Sequence, residues 1–204
     1  MAAPRAPWAA VIALVCSFAS SALAAGHRGA AGTPGEFDYF MLSLSWSPGF
    51  MVHGLWPQYE RGWPQYCDVH LPVPDEVVTG IADLMPAREL VYHEWSAHGT
   101  CSGLDPAHFF ALVRGARASI VIPPPLLHPN AAIEQSPGAV AEAFLRANPR
   151  LPATAVLVTC TTQGTPRLRE VRICLSRDLA PRPCSADDMK SACRAPQLIV
   201  APLR

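Results

Sequence analysis

Six cysteines that have to find partners constrain this chain more than any other feature. The 204 residues include seven cysteines, and the first, Cys16, lies in a leader. MAAPRAPWAAVIALVCSFASSALAA carries one arginine, an apolar run too short to span a bilayer, and a small-residue A-L-A ending at Ala24. That pattern reads as a secretory signal over residues 1–24, cut after Ala24. Cys67, Cys101, Cys160, Cys174, Cys184 and Cys193 remain. An even number in an exported chain predicts three disulfides and a secreted or periplasmic location. Spacing alone does not choose the pairing, and the CxxC signature of zinc ribbons and redox sites is absent.

The length suits one domain with a sizeable core. Lys+Arg and Asp+Glu number 16 each, and the leader removes only Arg5, which leaves a slight acidic excess. No global basic field recruits a polyanion, so any such ligand must be held locally. No later stretch is apolar enough to span a membrane, and the mature form is expected to stay off it.

Residues 25–36 are rich in Gly and Ala and read as a flexible arm ahead of a domain over 37–204. FDYFMLSLSW (37–46) and MVHGLW (51–56) read as strands, with turn chemistry at Ser47-Pro48-Gly49 between them. Residues 57–74 hold prolines and aromatics and read as an extended loop. A helix is predicted from Asp75 to Met85, with Val78, Ile81, Ala82 and Met85 on one face and Pro86 as its breaker. A second runs from Ala87 to His98, closed by Gly99 at the position after the cap. Asp105-Pro106 supplies an N-cap and first-turn proline for a helix to about Ser119, and Ser136-Pro137 opens another to about Ala147. PPPLLHPN (123–130) is a rigid connector between them. AVLVTC (155–160), LREVRICL (168–175) and QLIVA (197–201) read as strands. Strands at both ends with helices between them predict an α+β fold, a mainly antiparallel sheet packed with helices in one disulfide-stapled domain.

Two histidine-bearing segments carry the chemistry. In HEWSAHGTC (93–101), His93 and His98 are five residues apart. Zinc-binding helical histidines sit four apart and leave one face; five steps separate them by about 140° instead of about 40°. No metal is expected there. Glu94 and His98, at i and i+4, do share a face. That suits a carboxylate orienting or balancing an imidazole that gains and loses a proton. In MVHGLWPQY, strict strand alternation puts His53 with Met51 and Leu55, opposite Val52 and Trp56, unless Gly54 introduces a bulge. Taken alone, His53 reads as a core histidine beside a packed tryptophan.

Taken together and in this order behind a leader, HGLWP (53–57) and HEWSAHGTC closely resemble the two catalytic segments of the ribonuclease T2 family. LSWSPGF (44–50) is similar to that family's first core strand. CSGLDPAHFFALV and VRICLSRDLAPRPC are similar to its bacterial secreted members. The resemblance covers roughly residues 37–193. It implies a secreted endoribonuclease, monomeric and without cofactor or metal, that acts on single-stranded RNA and not DNA. Attack by the 2′-hydroxyl on the neighbouring phosphorus would leave a 2′,3′-cyclic phosphate and a free 5′-hydroxyl. Carried over residue by residue, His98 is the base and His53 the acid. Glu94 is the carboxylate beside the phosphorane, His93 holds the phosphate, and Trp56 stacks on a base with weak sequence preference. Tyr92 and Trp95 read as core. The resemblance also implies the bridges Cys67–Cys101, Cys160–Cys193 and Cys174–Cys184.

Two departures stand out. The family's lysine before its second catalytic histidine is Ala97 here. One lost electrostatic donor costs about 10²–10³ in rate, so a slower enzyme is expected, with Ala97→Lys raising turnover. Lys190, the single lysine, is far away in sequence, which leaves Arg88 or Arg61 as candidate replacements. The family's cystine-bearing insertion is also missing: Phe50 runs straight into Met51, which forces strands 42–46 and 51–56 toward a hairpin. These departures motivate an alternative, a catalytically impaired relative that binds RNA or a protein through the same groove.

Overall fold

Tyr39–Ser45 is buried along nearly its whole length. It forms β2, an inner strand of a four-stranded antiparallel sheet ordered β3-β2-β7-β6, with β3 at Met51–Gln58, β6 at Val156–Cys160 and β7 at Leu168–Leu175. The computed structural model describes Met1 and residues 28–46, 49–68 and 71–202. Beyond Met1, the signal expected over residues 1–24 lies outside the described residues. Two short pairs flank the sheet. β1 (Arg28–Ala31) runs parallel to β4 (Trp63–Gln65), and β5 (Ile133–Gln135) is antiparallel to β8 (Leu198–Val200). Residues 28–31, expected in a flexible arm, are thus tied down by backbone hydrogen bonds. The fold is α+β, as the order of elements predicts.

The helices are α1 (Asp75–Gly80), α2 (Arg88–Ala97), α3 (Pro106–Ala118), α4 (Pro124–Leu127) and α5 (Pro137–Ala147). Local chemistry sets two of the starts. The Asp105 carboxylate accepts from the His108 amide at 3.0 Å, and the Ser136 hydroxyl accepts from the Ala139 amide at 3.1 Å, each ahead of a first-turn proline. α1 stops at Gly80, earlier than predicted, and the chain continues in turns. Glycine is a poor helix former, which limits propagation here. Val78, Ile81 and Met85 still point inward, but Ala82 is exposed. Gly99 does not take a left-handed cap: residues Gly99–Ser102 form a 3-10 turn, and Gly103, with φ 77°, is the left-handed residue. Gly99 is needed for space, since a Cβ there would lie 2.4 Å from Trp95 Cε3 and 2.9 Å from Phe109 Cε1. The proline-rich connector contains the single turn of α4.

One sheet face carries Leu42, Leu44, Val52 and Leu55 and packs with Phe109 of α3 and Phe144 of α5 in the main core. The other face carries Tyr39, Met41 and Cys174, with Trp56 packed against them. The three bridges are Cys67–Cys101, Cys160–Cys193 and Cys174–Cys184. They close loops of 34, 33 and 10 residues, and loop entropy makes each worth about 3–4 kcal/mol. Cys67–Cys101 matters most for position, because it ties the segment after β4 to the turn that follows α2.

β2 and β3 form a direct hairpin with Ser45 opposite Met51. Of the intervening turn, residues 47 and 48 lie outside the described residues. Gly49 has φ 97° and Phe50 φ 55°. Phenylalanine in the left-handed region is strained by about 1–3 kcal/mol. Burial offsets it: the Phe50 ring is 2% exposed and sits 4.9 Å from Trp46 and 5.3 Å from Phe144, edge-on to both. The short junction is therefore closed by anchoring one aromatic in the core. Phe50→Ala keeps the strain and loses the anchor, so urea unfolding should show a loss of about 3–5 kcal/mol. A loss under about 1 kcal/mol would show that the ring does not hold this turn.

Candidate active site

The site grows from a fault in the β2–β3 register. Ser43 lies opposite Gly54 and Leu44 opposite Val52, so His53 is an extra residue with no partner across the ladder. A bulge of this kind turns a strand by one residue. Val52 and Leu55 therefore both enter the main core, while His53 leaves that side for Trp56's, ring centroids 5.3 Å apart. The bulge that Gly54 allows is what brings His53 out.

Across β2, β7 presents Glu170 and Arg172 at the same level, opposite Ser45 and Ser43. Those two serines are small, so the longer side chains of β3 and β7 meet over them. His53 Nδ1 and Glu170 Oε1 are 2.6 Å apart, and Glu170 Oε2 accepts from Arg172 Nε at 2.9 Å and Nη2 at 2.7 Å. The Arg172 guanidinium in turn lies 4.9 Å from the Trp56 ring. Sequence reading missed both residues. The signal was present in LREVRICL, where Glu170 and Arg172 put charge at alternate positions on the same strand face as Cys174.

α2 supplies the third side. Its buried Glu94 accepts from Trp56 Nε1 at 2.6 Å and lies 3.5 Å from His53 Nε2. The i, i+4 spacing suggested His98 as the partner of Glu94, but the carboxylate turns to His53 and the indole instead. Gly54 makes this possible, because a Cβ there would stand 2.0 Å from Glu94 Oε2. His98 leaves the helix with φ −128° and packs its ring 5.4 Å from Trp56. Its Nδ1 is buried with no hydrogen-bond partner among the described residues. Trp56 thus packs against both imidazoles.

The electrostatics push the two rings in opposite directions. The Glu170 hydrogen bond holds His53 above the ordinary imidazole range, with Glu94 adding to it and burial and Arg172 opposing. Burial drives His98 down to about 3, with His93 and His53 adding to the effect. Burial pushes Glu94 up to about 7 against the Trp56 hydrogen bond. Burial would also raise Glu170, but the His53 hydrogen bond and Arg172 outweigh it and hold the carboxyl at about 2. In mildly acid solution one imidazole carries a proton to give and the other a free lone pair.

Beside them opens a cavity of about 300 Å³ lined by Trp56, Gln58, Trp63, His98, Arg172 and Asp188, among others. His93 is on the exposed side of α2. Trp95 is core, donating Nε1 to the Leu71 carbonyl at 2.7 Å, but Tyr92, expected in the core, is 39% exposed and bonded to Arg88. Arg88 also bonds to Asp75 at 2.6 Å on the surface, and Arg61 is exposed; the cation at the site is Arg172. Ala97 is wholly buried, so a lysine there would overpack its surroundings as well as add charge. Among the described residues the only grouping with metal-ligand proximity is Cys174, Cys184 and Asp188, whose two sulfurs are already bonded to each other. No described helix is long and apolar enough to cross a membrane.

Comparison with known proteins gives this geometry a context. Residues 37–184 match the model of the ribonuclease T2 family. A ribonuclease of Aeromonas hydrophila is 32% identical over 208 residues, which covers 86% of this chain and 90% of that protein. Among solved structures, a ribonuclease-related protein from Calystegia sepium aligns with a TM-score of 0.66 at 20% identity, over 83% of this chain and 99% of that one. A ribonuclease MC1 variant in complex with 5′-UMP aligns at 0.62 and 21% identity, over 80% of this chain and 98% of that one. The structural likenesses speak for the fold, and the sequence matches, which span most of the chain, carry the assignment: this chain belongs to the ribonuclease T2 family.

Proposed function

We propose that the protein is a secreted endoribonuclease that cleaves single-stranded RNA by transphosphorylation, with His98 as base and His53 as acid. His98 takes the proton of the 2′-hydroxyl as that oxygen bonds to phosphorus. The bond from phosphorus to the 5′-oxygen breaks, and His53 gives its Nε2 proton to the leaving oxygen. The products are a 2′,3′-cyclic phosphate and a 5′-hydroxyl. Glu94, beside His53 and neutral below about pH 7, is placed to donate a hydrogen bond to a phosphorane oxygen. Trp56 offers a face for a base, and His93 is the candidate for holding an outer phosphate. The ribonuclease MC1 variant's complex with 5′-UMP supports a nucleotide-binding groove. Three disulfides support export to the periplasm or medium.

The observation that carries this reading is the opposed bias of two imidazoles that both pack against one indole. A groove retained only for binding has no use for one imidazole biased toward its charged form by a buried carboxylate and another biased toward its neutral form by burial. RNA incubated with the oxidised mature protein and chelator should yield cyclic-phosphate ends. His53→Ala and His98→Ala should each lower that rate by about 10²–10⁴-fold. Retention of binding without cyclic product in the wild type would favour the binding-module alternative.

The pH dependence follows from the same two groups. The active free enzyme needs neutral His98, present above about 3, and protonated His53, lost as pH rises through its elevated value. The rate constant kcat/KM should therefore be high near pH 5 and fall on the alkaline side, with a midpoint above about 6.5. An optimum above about pH 9 would reverse the assigned protonation states.

A further inference from the structure

We infer that Glu170 is a positioning residue for catalysis: it accepts the Nδ1 hydrogen of His53, fixes the ring with Nε2 toward the groove, and holds it charged as the proton donor. The inference rests on the functional reading above and deepens it. The bond is 2.6 Å, the carboxylate side chain is 2% exposed, and 117 residues separate the partners, so tertiary structure alone brings them together. Arg172 engages the other carboxylate oxygen through two nitrogens. That fork both aims the carboxylate and keeps it ionised, so the proton stays on His53 and does not pass to Glu170.

The charged and titratable groups facing His53 are Glu94 from α2, His98 just beyond that helix, and Glu170 and Arg172 from β7. Of the two carboxylates, Glu94 is the looser, 3.5 Å from Nε2 and committed to Trp56. An imidazole gripped firmly at Nδ1 and loosely at Nε2 has one nitrogen anchored and the other available. A leaving 5′-oxygen can reach Nε2 by displacing a weak contact, while the strong bond behind the ring supports the charge until transfer. When the proton leaves, Nδ1–H keeps its bond to Glu170, which selects the tautomer that can be recharged at Nε2.

The consequence is a dependence on the leaving group that a merely structural role would not produce. An RNA 5′-oxygen needs a proton to depart; the 4-nitrophenolate of a nucleoside 3′-(4-nitrophenyl phosphate) departs as the anion. Glu170→Gln keeps the shape and an acceptor oxygen but removes the charge. It should lower kcat on a dinucleotide by about 10–100-fold, part of the whole worth of a positioned acid, while changing kcat on the aryl ester by no more than about threefold and leaving KM nearly constant. In a His53→Ala background the same substitution should cost nothing further on RNA. Because Glu170→Gln leaves the half-buried Arg172 without its charged partner, E170Q/R172Q serves as a second variant, read against R172Q alone on both substrates. Equal losses on dinucleotide and aryl ester, loss on neither, or a full further loss in the His53→Ala background would overturn the inference. Wild-type protein that leaves RNA uncut would instead overturn the functional reading on which it rests.

Discussion

Glu170 carries a carboxylate side chain only 2% exposed, on a sheet face shared with Tyr39, Met41 and Cys174. An ionised carboxylate in such a place costs several kcal/mol unless charged partners surround it. Arg172 on its own strand supplies one side and His53, two strands away, supplies the other. The pairing fixes much else. The β2–β3 register must slip at His53 to turn it out of the main core toward Glu170, β2 must be small at Ser43 and Ser45 to let the side chains meet, and Trp56 must lie under the guanidinium. Removing any one of these leaves a buried charge short of a partner, so the constraint acts on sequence positions that never touch one another.

From that pairing the site's asymmetry follows without further machinery. Both imidazoles border the same indole, yet one has a carboxylate at its back and the other has none. Burial penalises the charged form of each, but only His53 has the compensation. Glu94, held by the Trp56 indole, stands beside His53 and is pushed toward its neutral form by the same dry surroundings. Gly54 enforces the approach of that carboxylate, and the Cys67–Cys101 bridge pins the turn that sets His98.

Much of this was legible in the chain because it is written locally. Asp105-Pro106 and Ser136-Pro137 announce two helices through capping chemistry that needs only three or four residues to act. His53, Glu94 and His98 lie in compact motifs, and Gly54 hinted at a bulge. Apart from the three bridges that the family resemblance implied, contacts made across the fold were not legible. The pairing of β1 with β4 and of β5 with β8 depends on short strands that have no strong period of their own. The i, i+4 rule sent Glu94 to His98, whereas the bulge offered a better partner. The cation near the groove was sought at Arg88 and Arg61 by proximity in sequence, yet Arg172 reaches it from a strand more than 70 residues beyond His98. The short Phe50–Met51 junction forced a hairpin as expected, at the expense of a strained aromatic whose burial only the folded core reveals.

The difference in protonation between the two rings can be read directly by following the imidazole nitrogen and carbon resonances of the disulfide-bonded protein against pH, with His53→Ala and His98→Ala to assign them. His53 should stay protonated to above about 6.5 with a strongly hydrogen-bonded Nδ1–H, while His98 should remain neutral well below that point. A His98 that charges before His53 as the solution is acidified would contradict the division of labour described here.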